Sequence, residues 1–199
     1  MRQSTERALL IGGAILGALG IVYLVSPKSA AASPASAGTP LTAGVQAVQA
    51  SPGAQVTLTI PAGSIFSSAT LRPIGTPGSN LSPSGTSVTF TNPGDFATVA
   101  VVWKDSSGNS VNAIVVLVPP GATLSTPVSD PATSAAIMSQ LASAAQRNGI
   151  SAVTSAVSDQ AKVTGFQSWF NSQTAYQSLA TLSTSGVLDY QTAGVLNYF

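Results

Sequence analysis

Near residue 126 the spacing of apolar side chains changes, and this change restricts the fold of the 199-residue chain more than any other feature. Upstream the period is two. In residues 55–60, Val56, Leu58 and Ile60 alternate with Thr57 and Thr59, so one face of an extended segment is dry and the other wet. Downstream, Ile137, Leu141 and Ala145 recur at i, i+4 and i+8, the stripe of a helix with one buried face. Two periods in series predict an all-β region followed by a small α-helical bundle.

The alternating pattern and its turn residues place strands at 45–50, 55–60, 69–74, 87–91, 96–103 and 111–118. The last two are almost continuously apolar, as central strands are. Between them, residues 104–109 form a hairpin turn in which Gly108 and Asn109 can take positive φ. A second turn is expected at 92–95, and Pro119-Pro120-Gly121 ends the last strand because proline cannot donate to a ladder. Asp95 and Asp105 read as turn-stabilising residues rather than calcium ligands, since calcium needs six or more oxygens and no acidic cluster is present. In the helical region, Asp130-Pro131 is a capping residue followed by proline at the first helical position, and Asn148-Gly149 is a stop. A second helix is expected over 151–161, with Gly165 interrupting it before Phe166, Trp169 and Phe170. Tyr176, Leu179, Ala180 and Leu182 form another apolar stripe, and a last helix begins near Asp189.

The N-terminal part has a different character. Residues 8–25 are eighteen uncharged residues flanked by Arg2, Glu6 and Arg7 before and Lys28 after. At ~1.5 Å per residue such a helix nearly matches the ~30 Å hydrocarbon core, and Arg2 and Arg7 would hold the N-terminus in the cytoplasm. Gly13 and Gly17 form a GxxxG pair, a helix-packing face in the membrane. The expected plan is a cytoplasmic tail at 1–7, a transmembrane anchor at 8–25, an Ala/Ser/Pro linker at 26–44, a β-sandwich at 45–120, a short linker at 121–130 and the bundle at 131–199. This describes a single-pass membrane protein with the lipid bilayer as a partner and its bulk outside the cytoplasm. The alternative is a cleavable signal peptide and a secreted product, for which small-residue patterns occur at Ala30-Ala31-Ala32 and Ala35-Ser36-Ala37.

Two stretches carry family resemblances. Residues 92–118, with a Pro-Gly turn, an aromatic-led strand, an Asp-x-x-Gly-Asn turn and a Val-rich final strand, resemble the closing hairpin of bacterial immunoglobulin-like modules of the polycystic-kidney-disease type. That resemblance extends loosely over 45–118 and implies an Ig-like sandwich. Residues 185–199 resemble the end of the peptidoglycan-binding repeat of wall hydrolases, with Gly186, Val187 and Leu188 at its turn and Thr192, Val195, Leu196 and Phe199 on its helix. Phe166-Gln-Ser-Trp-Phe-Asn171 is similar to that repeat's first helix. Ser185, Asp189 and Tyr190 depart from the family's Asp, Gly and Pro. The resemblance implies peptidoglycan contact through a bundle containing Phe166, Trp169 and Tyr190.

Charge and residue types narrow the chemistry. Beyond Lys28 the cations are Arg72, Lys104, Arg147 and Lys162, scattered singly, so a nucleic-acid partner is not expected. The chain has no histidine or cysteine and its one glutamate, Glu6, lies before the expected span, which removes histidine triads, thiol nucleophiles and zinc sites outside the membrane. Nothing in the sequence pairs two aspartates as acid and base. The expectation is a protein without catalytic activity, cofactor or metal. Its first functional reading is a membrane-anchored structural or assembly protein, either in the virion of a membrane-containing bacteriophage or in a cell envelope, with protein partners or further copies of itself. The alternatives are a peptidoglycan-binding envelope module and an adhesin-like surface protein.

Overall fold

The structure, a computed structural model, describes residues 38–94 and 96–199. Eight strands form two sheets: β1 (Thr39–Pro40), β2 (Gly44–Gln49), β3 (Gln55–Thr59), β4 (Ile65–Pro73), β5 (Ser79–Asn80), β6 (Ser87–Thr91), β7 (Ala97–Lys104) and β8 (Ser110–Val118). One sheet has the order β1-β3-β6, the other β2-β8-β7-β4-β5. Both are mixed, because β1 runs parallel to β3 and β2 parallel to β8 while the remaining pairs are antiparallel. The inner faces enclose one core. Val56, Leu58, Val88 and Phe90 from the smaller sheet meet Leu71, Val99, Val101, Trp103, Val115 and Leu117 from the larger. The arrangement is a β-sandwich.

The apolar runs of the two central strands have different causes. In β8, Ala113, Val115 and Leu117 point into the sandwich, while Ile114, Val116 and Val118 belong to a second core on the outer face. The pleat sends successive residues to opposite faces, so a strand covered on both sides needs no polar positions. The cover is helical: α1 (Pro131–Asn148), α2 (Ser151–Thr154), α3 (Asp159–Ser172) and α4 (Tyr190–Tyr198). Helix α4 lies directly on β8. A Cβ added at Gly194 would overlap the Val116 side chain, so the missing methyl sets the approach of helix to sheet. Ile137, Leu141 and Ala145 of α1 and Val163, Phe166 and Phe170 of α3 close over α4, whose residues 192–197 are all buried.

Local chemistry agrees with the expected helix ends. The Asp130 carboxylate accepts from the Thr133 backbone N–H at 2.7 Å, and Gly149 ends α1 at φ 63°. The Asp189 carboxylate accepts from the Thr192 N–H at 2.8 Å and starts α4. Asp105 holds the β7–β8 turn by accepting from the backbone N–H groups of Ser107 and Asn109 at 2.8 and 2.9 Å. Gly108 has φ 84°, but no non-glycine residue among those described has positive φ, so Asn109 does not share that role.

Several expectations are corrected. The membrane helix expected at 8–25, with Gly13 and Gly17, lies outside the described residues. Among the described residues no helix is long and apolar enough to cross a membrane. The longest, α1, has eighteen residues but carries Ser134, Ser139, Gln140, Ser143 and Arg147, and packs through one stripe only. The described residues form a β-sandwich followed by a small helical bundle. The transmembrane anchor, the bilayer as partner, the single-pass topology and the membrane-anchored structural role are withdrawn with it. The helix expected over 151–161 is two helices, α2 and α3, with the fully exposed Val157 between them. Gly165 lies inside α3 rather than breaking it, because α3 passes so close that a Cβ there would come within 2.9 Å of the Ala152 carbonyl oxygen. The stripe at 176–182 forms only a short 3-10 turn, Thr174–Tyr176, followed by irregular chain.

Two measurements test this arrangement. Gly194→Ala should destabilise the whole protein by about 1–3 kcal/mol through overpacking against Val116, read as a lower urea midpoint of a single transition. Asp130 is held below the ordinary carboxylate value by Thr133, through its hydroxyl and its backbone N–H. A depressed folded value means that the associated stability is present above the unfolded value, near 3.9, and is lost as pH falls through the folded one. Asp130→Asn, which keeps a capping oxygen without the charge, should flatten the acid-side loss of stability below about pH 4 and leave neutral-pH stability nearly unchanged.

Candidate functional site

The densest set of specific interactions outside the sheets lies where α3 faces the chain leading into α4. Gln167 is fully buried on the same face as Val163, Phe166 and Phe170. Its amide nitrogen donates to the Val187 carbonyl and to the Thr192 hydroxyl, both at 3.0 Å, while its amide oxygen accepts from the Gly186 N–H at 3.0 Å. One turn on, Asn171 repeats the device: it donates to the Leu182 carbonyl and accepts from the Leu182 N–H, both at 2.8 Å. Two amides at i and i+4 thus hold the extended stretch 182–187 along α3 as a neighbouring strand would. Gly186 has φ 75°, and a Cβ there would approach the Gln160 carbonyl oxygen to 2.9 Å, so glycine is required on both counts. The connector before α1 joins this unit: Val128 donates to the Leu188 carbonyl, while Tyr190 and Gln191 donate to those of Thr126 and Leu124.

The three residues expected to contact peptidoglycan are not brought together on a surface. Phe166 is 1 % exposed and Tyr190 5 % exposed. Tyr190 stacks on Phe96 of the sheet side at 6.1 Å between ring centroids, whereas Phe166 packs against the half-buried Trp169 at 5.9 Å. Phe199 is the hub of the aromatic group. Its edge or face meets Phe166, Trp169, Phe170, Tyr176 and Tyr198, with centroid distances from 4.9 to 6.4 Å. Edge-to-face packing of this kind suits the ring quadrupole and orients the outer members of the group, Trp169, Tyr176 and Tyr198.

Sequence reasoning passed over the residues that organise this region. Gln167 has a visible signal, a polar residue on an otherwise apolar helical stripe, which requires a satisfied partner when buried. Arg72 has none in sequence. Its guanidinium donates to the Tyr198 carbonyl at 2.6 Å and lies 5.6 Å from the centre of the Tyr198 ring. Arg147 donates to the Phe199 oxygen at 3.3 Å, and Gln140 to the Leu196 carbonyl at 3.5 Å. Long side chains from β4 and α1 thus satisfy the carbonyls that the last turn of α4 leaves open. A cavity of about 540 Å³ lies over this end of α4, between α1 and the Gly75–Gly78 bend, and Arg72 and Arg147 both line it. Asn197 fixes the other side of α4 by donating to the Arg72 carbonyl and the Thr98 hydroxyl at 2.8 and 2.9 Å.

No group of three or more potential metal-ligating side chains occurs among the described residues. Each described aspartate already serves the local structure, since Asp105, Asp130 and Asp189 cap turns or helices and Asp159 pairs with Lys162 at 2.9 Å. Asp95 lies outside the described residues. Comparison with known protein families finds no match, and none is found among curated proteins.

The Gln167 linkage makes a definite prediction. Gln167→Leu should leave the Gly186 N–H and the Val187 carbonyl unpaired in a dry interior, at a cost of about 2–3 kcal/mol in stability. The check is a lowered urea midpoint accompanied by faster amide exchange at Gly186.

Proposed function

We propose that the protein is a non-enzymatic peptidoglycan-binding module that acts outside the cytoplasm, with its N-terminal stretch serving as a cleavable secretion signal. The observation that carries the proposal is the Gln167 linkage. It joins 166–171 to 185–192, the two stretches that resemble the peptidoglycan-binding repeat, through Gly186, Val187 and Thr192. The departures from the repeat are compatible with the same turn. Ser185 accepts through its hydroxyl from the Val187 N–H at 3.3 Å, as an aspartate there could, and Asp189 caps α4 where the family has glycine.

The sandwich serves in this proposal as an Ig-like carrier. Supporting this reading, the run β8-β7-β4-β5 faces β3-β6, the order that the G-F-C-C′ and B-E strands have in such domains, with β1 and β2 added at the edges. It lacks the disulfide of antibody domains, since the chain has no cysteine, and its buried Trp103 lies on β7. The absence of catalysis is supported by the local structural use of every described aspartate and by a sequence without histidine or cysteine.

The test keeps the sandwich and the helical half together, because Ile114, Val116 and Val118 of β8 are part of the helical core and a fragment starting after the sheet would lose them. Purified protein mixed with isolated sacculi should sediment with them in a saturable way and release no soluble fragments. Protein that stays in the supernatant rules out wall binding, and release of muropeptides replaces a binding role with a lytic one.

A further inference from the structure

A second cavity, of about 330 Å³, lies beside Tyr198, between the start of β8 and the chain after α3. It is at the lower end of the size of ligand sites, roughly 300–1,000 Å³. Its walls combine two kinds of group. Ala43, Val111 and Leu179 give an apolar seat, and beside them stand the neutral hydrogen-bonding residues Asn112, Tyr176 and Tyr198. No charged side chain lines it.

Those polar groups are available for a ligand. Among the described residues, the side chains of Asn112, Tyr176 and Tyr198 have no hydrogen-bonding partner within the protein, in contrast to the satisfied amides of Gln167, Asn171 and Asn197 nearby. The two tyrosine rings are nevertheless fixed. Tyr176 stacks on Phe170 with an interplanar angle of 6° and meets the Phe199 edge at 4.9 Å, and the Tyr198 ring lies between Phe199 and the Arg72 guanidinium. Fixed rings with unused hydroxyls lose little entropy when a ligand binds. The cavity floor is also set by the fold: a Cβ at Gly44, beside Ala43, would come within 2.9 Å of the Leu179 carbonyl oxygen.

We infer that this cavity is a subsite for an uncharged N-acetylated sugar unit. The match is chemical. A pyranose offers a rim of hydroxyls to the phenols and the Asn112 amide, and an acetamido methyl suits the seat formed by Ala43, Val111 and Leu179. An anionic or cationic ligand would gain no compensating charge there. The inference deepens the wall-binding proposal and rests on it, because N-acetylated sugars form the glycan strands of peptidoglycan. It moves the contact from Phe166 and Tyr190 to Tyr176, Tyr198 and Asn112, and makes the sandwich contribute to the site through β8.

The experiment is titration calorimetry of the full chain with a soluble tetramer of N-acetylglucosamine, with a glucose tetramer as control, alongside sacculus sedimentation. The wild type should bind the N-acetylated tetramer and not the control. Asn112→Ala and Tyr176→Phe, which alter a surface amide and a single hydroxyl, should each weaken binding about five- to tenfold, the effect of one lost hydrogen bond, without moving the urea midpoint. Sacculus binding that is equal in wild type and variants, with no binding of the tetramer, overturns the subsite and leaves wall binding standing. Tetramer binding that the variants weaken, with no retention on sacculi, supports the sugar site and discards the wall as its target. Failure of both overturns both.

Discussion

Burial of β8 on both faces is the constraint on which the rest of the molecule depends. Its inward residues close the sandwich, and its outward residues Ile114, Val116 and Val118 are the platform on which α4 is laid. Apolar burial contributes only ~25 cal/mol per Å², so a bundle of this size gains from any further apolar surface that it can cover. By taking three branched side chains from the sheet, it completes a core that its own helices would leave open. Both cavities follow from this shared core, since each has walls from the sheet and from the helical half.

Amides do in this protein much of what charges do in others. Only 7 % of the residues are charged, and the one salt bridge among the described residues is an exposed pair, Asp159–Lys162, of the kind that contributes little. Specificity rests on Gln140, Gln167, Asn171 and Asn197, each aimed at a particular backbone group. A side-chain amide both donates and accepts, so it can replace a missing strand partner or complete a helix end without the desolvation cost of an ion. No buried side-chain nitrogen or oxygen among the described residues lacks a partner.

Where local chemistry decided the structure, it could be read from the sequence. Alternation located β6 at 87–91, the Asp130-Pro131 pair located the start of α1, and Asp189 the start of α4, because each is set within a few residues. Features governed by a distant partner were not legible. Gly165 looked like a break because its reason, the passage of α3 against Ala152, lies in another element. The strand β4 begins earlier than its alternation suggests, at Ile65, since a register shift between Phe66 and Ser68 disturbs the pattern. The residues that the repeat resemblance implied as contacts depend on distant partners too: the core took Phe166 and Tyr190, while Tyr176 and Tyr198 line a cavity.

The parallel pairing of β2 with β8 affects how the protein would carry load. Six successive residue pairs, from Gly44 with Ala113 to Gln49 with Val118, join the second strand of the chain to the strand that leads into the helices. Tension applied between the start of β2 and the helical half would pull these two strands at opposite ends. The ladder is then loaded in shear, with all its hydrogen bonds strained together, rather than peeled one rung at a time. A domain tethered through those two points would resist stretching far better than its modest core suggests.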